Sequence, residues 1–488
     1  MGKPAKEAEN GSKCYSCKTI EWVTYTTPRK LRSFIYSRKN LFVTLFVAFV
    51  AYFATSSQPE IVRRTIATFV FVAGCWIFEV FPIPITGLMI PAVFTLLGVF
   101  APKDAFAPFS HPIIFLMTGG FVLGQSIKKH GLDKWIAFNL LTFSKGGIDR
   151  LVFLVMLTTA FLSMWMSNTV GIAVILPVIL SILKAMPEEL GNLRKKMLLG
   201  LTVSTSIGGM AMVTGSTPAM LGVALLGETV PFGFIQWAYY GLPISLLLLL
   251  MSFLILRQMY PSPKVTLNMD AIVDQQKQIG KLTVSQKKVI LVFSGTVFLW
   301  FIGSQLELWL GLPASISSAA IVSILAVLTM FGLELLDIND LKSIQWELMF
   351  LVGGGILLGE AMIVSGTAGR ISSAIASLEG TYSAIVILLF GLISLVLTNF
   401  LSNSATAAIL LPIAIDTAKV LGMNPVPFVM AIALSANIAF ITPIGVPSTA
   451  MIYSTGQISK GTLIKTGILL AIPTLLVILI AVWIMPTP

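Results

Sequence analysis

The sequence predicts an all-α polytopic membrane protein built from two inverted repeats, with about eleven transmembrane helices and two re-entrant hairpins. Three observations lead there. Of 488 residues, 56% are hydrophobic and only 11% charged, for a mean hydropathy of +0.91; a soluble chain of this length needs more charge to cover its surface. Apolar runs approaching the ~20 residues that cross a bilayer recur from end to end, among them Leu41–Ala54, Ile85–Phe100, Leu242–Leu256 and Ile468–Ile484. One register of identities also ties the two halves together. Backbone in lipid must satisfy its own hydrogen bonds, so the spans read as helices; the ~10-residue alternating segments of a β-barrel do not appear.

Placing Phe115 over Phe350, an offset of 350 − 115 = 235, exposes the repeat. Without a gap it pairs Gly119-Gly120 with Gly354-Gly355, Leu123-Gly124 with Leu358-Gly359 and Gly131 with Gly366. It continues through Ser167-Asn168 with Ser402-Asn403 to Leu176-Pro177 with Leu411-Pro412. Chance does not hold one register over such a stretch, so the halves are duplicates. Duplicates inverted across the membrane build many secondary transporters, with the site at their interface.

In chain order, residues 1–40 read as a basic cytoplasmic tail, in which Cys14 and Cys17 form a weak metal or redox signal. The first repeat, 41–260, is expected to hold helices at 41–57, 62–82, 84–100 and 108–128. An amphipathic segment at 131–147, a hairpin at 150–184, and helices at 196–228 and 233–258 complete it. A polar cytoplasmic linker, 261–288, precedes the second repeat, 289–488. That repeat reads as helices at 289–309, 313–333 and 345–364, an amphipathic segment at 366–379, a hairpin at 381–418, and helices at 426–454 and 460–485.

Lys and Arg mark cytoplasmic loops. They gather before Leu41, at Lys128, Lys129 and Lys134, at Arg194–Lys196 and at Lys277–Lys288, with Arg63 and Arg64 departing from the alternation. The N-terminus is therefore expected inside. An odd number of spans puts the C-terminus outside, so the fourth span, 108–128, and its partner 345–364, the ninth, cross in opposite senses. With no cleavable leader evident, a cell (inner) membrane of prokaryotic type is the expected location.

Two hairpin tips carry the chemistry. Ser163-Met-Trp-Met-Ser167-Asn168-Thr169 interrupts one apolar stretch, and Thr398-Asn399-Phe400-Leu401-Ser402-Asn403-Ser404 interrupts its equivalent. Hydroxyls and carboxamides at membrane depth are costly unless satisfied, and such backbone is tolerated where it lines a cavity. They can donate to an anion, while free carbonyls suit a hard cation such as sodium. A polar helix–helix contact is the plainer alternative for one tip, but two tips at matched repeat positions argue against it. Helix breaks come second: Gly208-Gly209 with Gly215-Ser216-Thr217-Pro218, and Thr442-Pro443-Ile444-Gly445-Val446-Pro447. Gly and Pro disfavour continuous helix there and free carbonyls for cations.

This pattern of paired Ser-Asn tips, each followed by a Gly/Pro break, resembles the divalent anion:sodium symporter family. The likeness extends over nearly all of the chain after residue 40, including Trp76-Ile-Phe-Glu79 and Gly131-Leu132-Asp133-Lys134. It implies carriage of dicarboxylates, citrate or sulfate by an elevator-like movement of the hairpin domain, in a homodimer, with sodium as the coupling ion and no other cofactor. Position by position, it implies one cation site at Ser163, Asn168 and Gly215 and another at Thr398, Leu401, Asn403 and Gly445. Substrate would meet Ser167, Asn168, Thr169, Ser402, Asn403 and Ser404, with Ser216, Thr217, Pro218 and Pro447 nearby. The expected activity is sodium-coupled symport of a C4-dicarboxylate such as succinate or malate. Dicarboxylate carriers of the family often read Ser/Thr-Pro-Pro-Asn at each break. Here the second break reads Val446-Pro447-Ser448-Thr449, with Val446 in place of a hydroxyl, which leaves sulfate carriage and sodium-independent exchange as alternatives.

Other classes fit less well. The two histidines, His111 and His130, lie far from the tips and form no nucleophile–base pair, so an enzyme is not expected. No GxxxxGK[ST] phosphate loop points to a self-contained ATP-driven pump. The breaks lack the Asp or Glu of cation/proton antiporters, and the charge of +11 sits in loops rather than in a nucleic-acid-binding face. Glu79 and Glu360 are read as buried structural acids.

Overall fold

A computed structural model describes residues 28–184, 190–227, 229–262, 270–311, 318–376, 383–443 and 445–484. Among them there are helices and no β-strand. The first half runs α1 (Pro28–Ala54), α2 (Glu60–Ile77), α3 (Ile83–Leu96), α4 (Pro102–Phe106), α5 (Pro112–Lys129) and α6 (Leu132–Thr142). The hairpin arms α7 (Ile148–Trp165) and α8 (Asn168–Lys184) follow, then α9 (Gly191–Ala211), α10 (Thr217–Gly227) and α11 (Phe234–Met259). After α12 (Asp270–Ile279) come α13 (Val284–Leu310), α14 (Ala319–Gly332), α15 (Glu347–Val364) and α16 (Thr367–Ala376). The second hairpin is α17 (Ser383–Thr398) and α18 (Asn403–Val420), and α19 (Pro425–Ser435), α20 (Pro447–Ser454) and α21 (Lys460–Ile484) end the chain.

Local chemistry accounts for the helix starts. Pro112, Pro425 and Pro447 open α5, α19 and α20, where a missing N–H costs nothing. His111 Nδ1 accepts from Ile113 N at 3.1 Å, and Asn424 Oδ1 accepts from Val426 N at 2.8 Å, capping orphan donors. Among the described residues, six helices are long and apolar enough to cross a membrane, including those that contain α5, α7, α11, α15 and α21. Several shorter apolar helices, α8, α10 and α19 among them, belong to hairpins and broken helices. Apolar stripes stay exposed, as at Phe42 and Phe46 on α1, Leu246 and Leu250 on α11, and Ile472 and Ile480 on α21. On a water-soluble protein such patches would be liabilities.

Several expectations need correcting. The region 1–40 is not all tail, because α1 starts at Pro28; the Cys14 and Cys17 pair lies outside the described residues. The linker 261–288 carries helix α12, and α13 begins inside it at Val284. Glu79 is exposed, at a left-handed turn (φ 47) between α2 and α3, rather than buried. Gly208 and Gly209 do not break their helix, which runs to Ala211 before an irregular stretch at Met212–Ser216. They are contact points instead. A Cβ on Gly208 would stand 2.2 Å from Ala160 O, and one on Gly209 would stand 2.6 Å from Asn168 Oδ1, so only glycine lets hairpin and helix close. The second break begins at Ala436, six residues before Thr442.

Asn399 explains the early unwinding. Its Nδ2 donates to Ile438 O at 2.8 Å, its Oδ1 accepts from Ile441 N at 3.1 Å, and its carbonyl accepts from Thr442 Oγ1 at 2.7 Å. One hairpin residue thus takes up the polar groups that unwinding releases. The framework helices pack reciprocally: α5 on α14, and its repeat partner α15 on α3. A Cβ on Gly119 would lie 2.4 Å from Ser323 Cβ, and one on Gly354 would lie 2.3 Å from Gly87 O. The same pair of contacts is therefore made twice with the halves exchanged.

Candidate functional site

Between the two tips and the two breaks lies a cavity of about 250 Å³. All ten residues expected to meet substrate line it: Ser167, Asn168 and Thr169; Ser216, Thr217 and Pro218; Ser402, Asn403 and Ser404; and Pro447. Four helices begin at its wall, α8 at Asn168, α10 at Thr217, α18 at Asn403 and α20 at Pro447. Their positive dipole ends converge on one space. Among the described residues no Lys, Arg or His lines it, and Glu347, at the start of α15, is the one charged residue of the lining.

Behind the wall, the residues expected to hold cations form two matching clusters. Ser163 Oγ stands 2.7 Å from Asn168 Oδ1 and 2.8 Å from Thr205 O. Thr398 Oγ1 stands 2.9 Å from Asn403 Oδ1 and also donates to Ala436 O. Each hydroxyl carries a single proton, yet each faces two acceptors. Both clusters hold more oxygen lone pairs than hydrogens to fill them, which is the donor set a hard cation uses. The break glycines close them off. The carbonyl oxygens of Ser163 and Gly209 would each be 2.9 Å from a Cβ on Gly215. On Gly445 a Cβ would be 2.8 Å from Ala439 O and 3.4 Å from Thr398 O. Gly215 and Gly445 also line the cavity, whereas Ser163, Thr398 and Leu401 sit behind it, all buried.

Sequence reasoning missed several lining residues. Asn437 is fully buried, donates from Nδ2 to Ser216 Oγ at 3.3 Å, and has no partner for its Oδ1 among the described residues. An Asn within the apolar run after Phe428 was the available signal. Ser448 Oγ is likewise buried and unpartnered. Gln345 reaches across from the approach to α15, donating from Nε2 to Ser167 Oγ at 3.3 Å. Nothing in its sequence surroundings marks Gln345 or Glu347, because their placement depends on how the halves pack. Val446, where a hydroxyl was expected, does line the cavity.

A family model described as citrate transporter matches residues 73–419 and 314–487. The chain belongs to the citrate transporter family. The relation to divalent anion:sodium symporters expected from the tips and breaks holds. Among curated relatives of this citrate transporter family member, an uncharacterized transporter of Methanocaldococcus jannaschii is 35% identical over 419 residues, covering 86% of this chain and 92% of the relative. The sodium-dependent dicarboxylate transporter SdcS of Staphylococcus saprophyticus is 25% identical over 469 residues, covering 91% and 90%. Among solved structures, the YdaH transporter of Alcanivorax borkumensis matches with a TM-score of 0.55 at 16% identity, over 80% of this chain and 87% of that one. MtrF of Neisseria gonorrhoeae matches with a TM-score of 0.56 at 14% identity, over 81% and 85%. These structural likenesses bear on fold alone, and they are to membrane transporters.

Proposed function

We propose that the protein is a sodium-coupled symporter of a small divalent anion, a C4-dicarboxylate such as succinate or malate. The observation that carries this reading is the meeting of four helix N-termini at a cavity with no basic side chain among its described residues. Backbone N–H groups, hydroxyls and carboxamides bind the carboxylates, and helix dipoles supply part of the opposing charge. Two sodium ions, held at Ser163–Asn168–Gly215 and at Thr398–Leu401–Asn403–Gly445, supply the rest. Asn168 and Asn403 belong to both groups, so cation and anion each complete the other's site, which is how binding becomes coupled. The similarity to a sodium-dependent dicarboxylate transporter supports the same reading. Two inverted repeats, eleven spans, a cytoplasmic N-terminus in a cell membrane, and an elevator movement of the hairpins within a homodimer complete the proposal.

Val446 favours a second reading, carriage of sulfate or sodium-independent exchange, because it puts an apolar side chain where a hydroxyl donor was expected at the cavity. The test is uptake of radiolabelled succinate and sulfate into proteoliposomes with and without an inward sodium gradient. Succinate uptake stimulated several-fold by sodium is the expected result. Sulfate uptake alone, or counterflow that persists when choline replaces sodium, selects the second reading. Absence of both anions from the lumen of folded, reconstituted protein overturns both.

A further inference from the structure

A second cavity, about 570 Å³, opens between α8 of the first hairpin and the α5–α6 corner. Its floor is one face of α8, where Val170, Ala173, Val174, Pro177 and Val178 recur at helical spacing. Ala173 and Pro177 are exposed there, with no segment among the described residues covering them. Phe138 on α6 forms the facing apolar wall. Lys128 and Lys134 stand at its rim, and neither side chain has a hydrogen bond or ion pair among the described residues. Their neighbours differ: Lys129 pairs with Asp337 at 3.1 Å and with Asp340 at 2.6 Å, and buried Lys196 pairs with Asp149 at 2.8 Å. Asp133 also lines the space, but it is buried, its Oδ1 accepts from Lys134 N at 2.8 Å, and burial pushes its carboxyl above the usual aspartate range.

A dianion in passage would gain nothing from a long apolar stripe, and a choline headgroup would set its own cation beside two lysines that have only the buried Asp133 nearby to offset them. One ligand class satisfies both halves of the crevice. We propose that it binds an anionic phospholipid, with an acyl chain along the α8 stripe and the phosphate between Lys128 and Lys134. Lysines at the end of a span and the start of an interfacial helix sit at headgroup depth, where anionic lipid is recognised. The crevice shares Thr169 with the anion cavity, so the lipid lies against the tip that lines the transport site. The inference rests on membrane residence and not on which anion is carried.

Native mass spectrometry tests it on full-length protein released from nanodiscs of equal phosphatidylglycerol and phosphatidylcholine. The wild type is expected to retain phosphatidylglycerol over phosphatidylcholine at least five-fold. The double variant Lys128→Gln/Lys134→Gln should fall to parity, and Ala173→Phe, which fills the groove with the lysines intact, should lose bound lipid of either kind. Equal retention by the wild type, or an undiminished preference in the double variant, overturns the proposal. A thiol arm separates lipid from anion: Ala173→Cys, with Cys14 and Cys17 changed to Ser, should react more slowly in phosphatidylglycerol. Protection by succinate and not by phosphatidylglycerol would make the crevice an anion passage and sink the lipid reading.

Discussion

At the scale of single residues, the hydroxyls of Ser163 and Thr398 are the sharpest features, because each faces two acceptors with one proton to give. Removing either oxygen removes a proposed cation ligand and leaves the cavity wall standing. Ser163→Ala and Thr398→Ala should each raise the half-saturating sodium concentration roughly tenfold, the equivalent of about 1.4 kcal/mol. Sodium titration of uptake at fixed substrate reads this directly. An unchanged sodium requirement would mean that the hydroxyls only tether α7 and α17 to the unwound chain. Asn399 differs from its neighbours in this respect. It sits in a hairpin tip but spends its hydrogen bonds on Ile438, Ile441 and Thr442, so its role is to hold the break open.

Elements raise a different question, how closely backbones approach. Gly354 and Gly87 touch where α15 crosses α3, and Gly119 and Ser323 touch where α5 crosses α14. A methyl on Gly354 meets a carbonyl oxygen that cannot step aside, so Gly354→Ala should cost on the order of 1–3 kcal/mol, as overpacking does. The apparent melting temperature in detergent should fall accordingly. Gly295→Ala, in α13 with nothing near, should hold or slightly raise it, since alanine suits helices better. A matching loss in both variants would show that the contact with Gly87 does not set the cost. This scale also shows what the sequence could and could not reveal. The single 235-residue register pointed to both hairpins and every lining residue at their tips, because duplicated polar residues in apolar runs have few innocent explanations. It misjudged Gly208-Gly209, since a glycine pair looks the same whether it breaks a helix or lets another helix press on it. It passed over Gln345, Glu347 and the crevice at Lys128, whose meaning arises only when distant segments fold together.

For the whole molecule, the proposed odd number of spans is the testable statement. Alkaline phosphatase fused after Pro488 should be active in intact cells, while a fluorescent protein fused before Met1 should glow. Both termini on one side would remove the opposed orientation of the halves, and the reverse pattern would turn the whole molecule over in the membrane. Their exchange of framework contacts carries a further implication, for synthesis. Ser126 on α5 donates to Met330 Sδ, a contact 204 residues apart in the chain. When α5 leaves the ribosome, the surface that will complete it has not yet been made. The first half therefore waits in the bilayer with a glycine-lined face unfilled, and finishing the protein is an act of mutual rescue between a half already inserted and one still arriving.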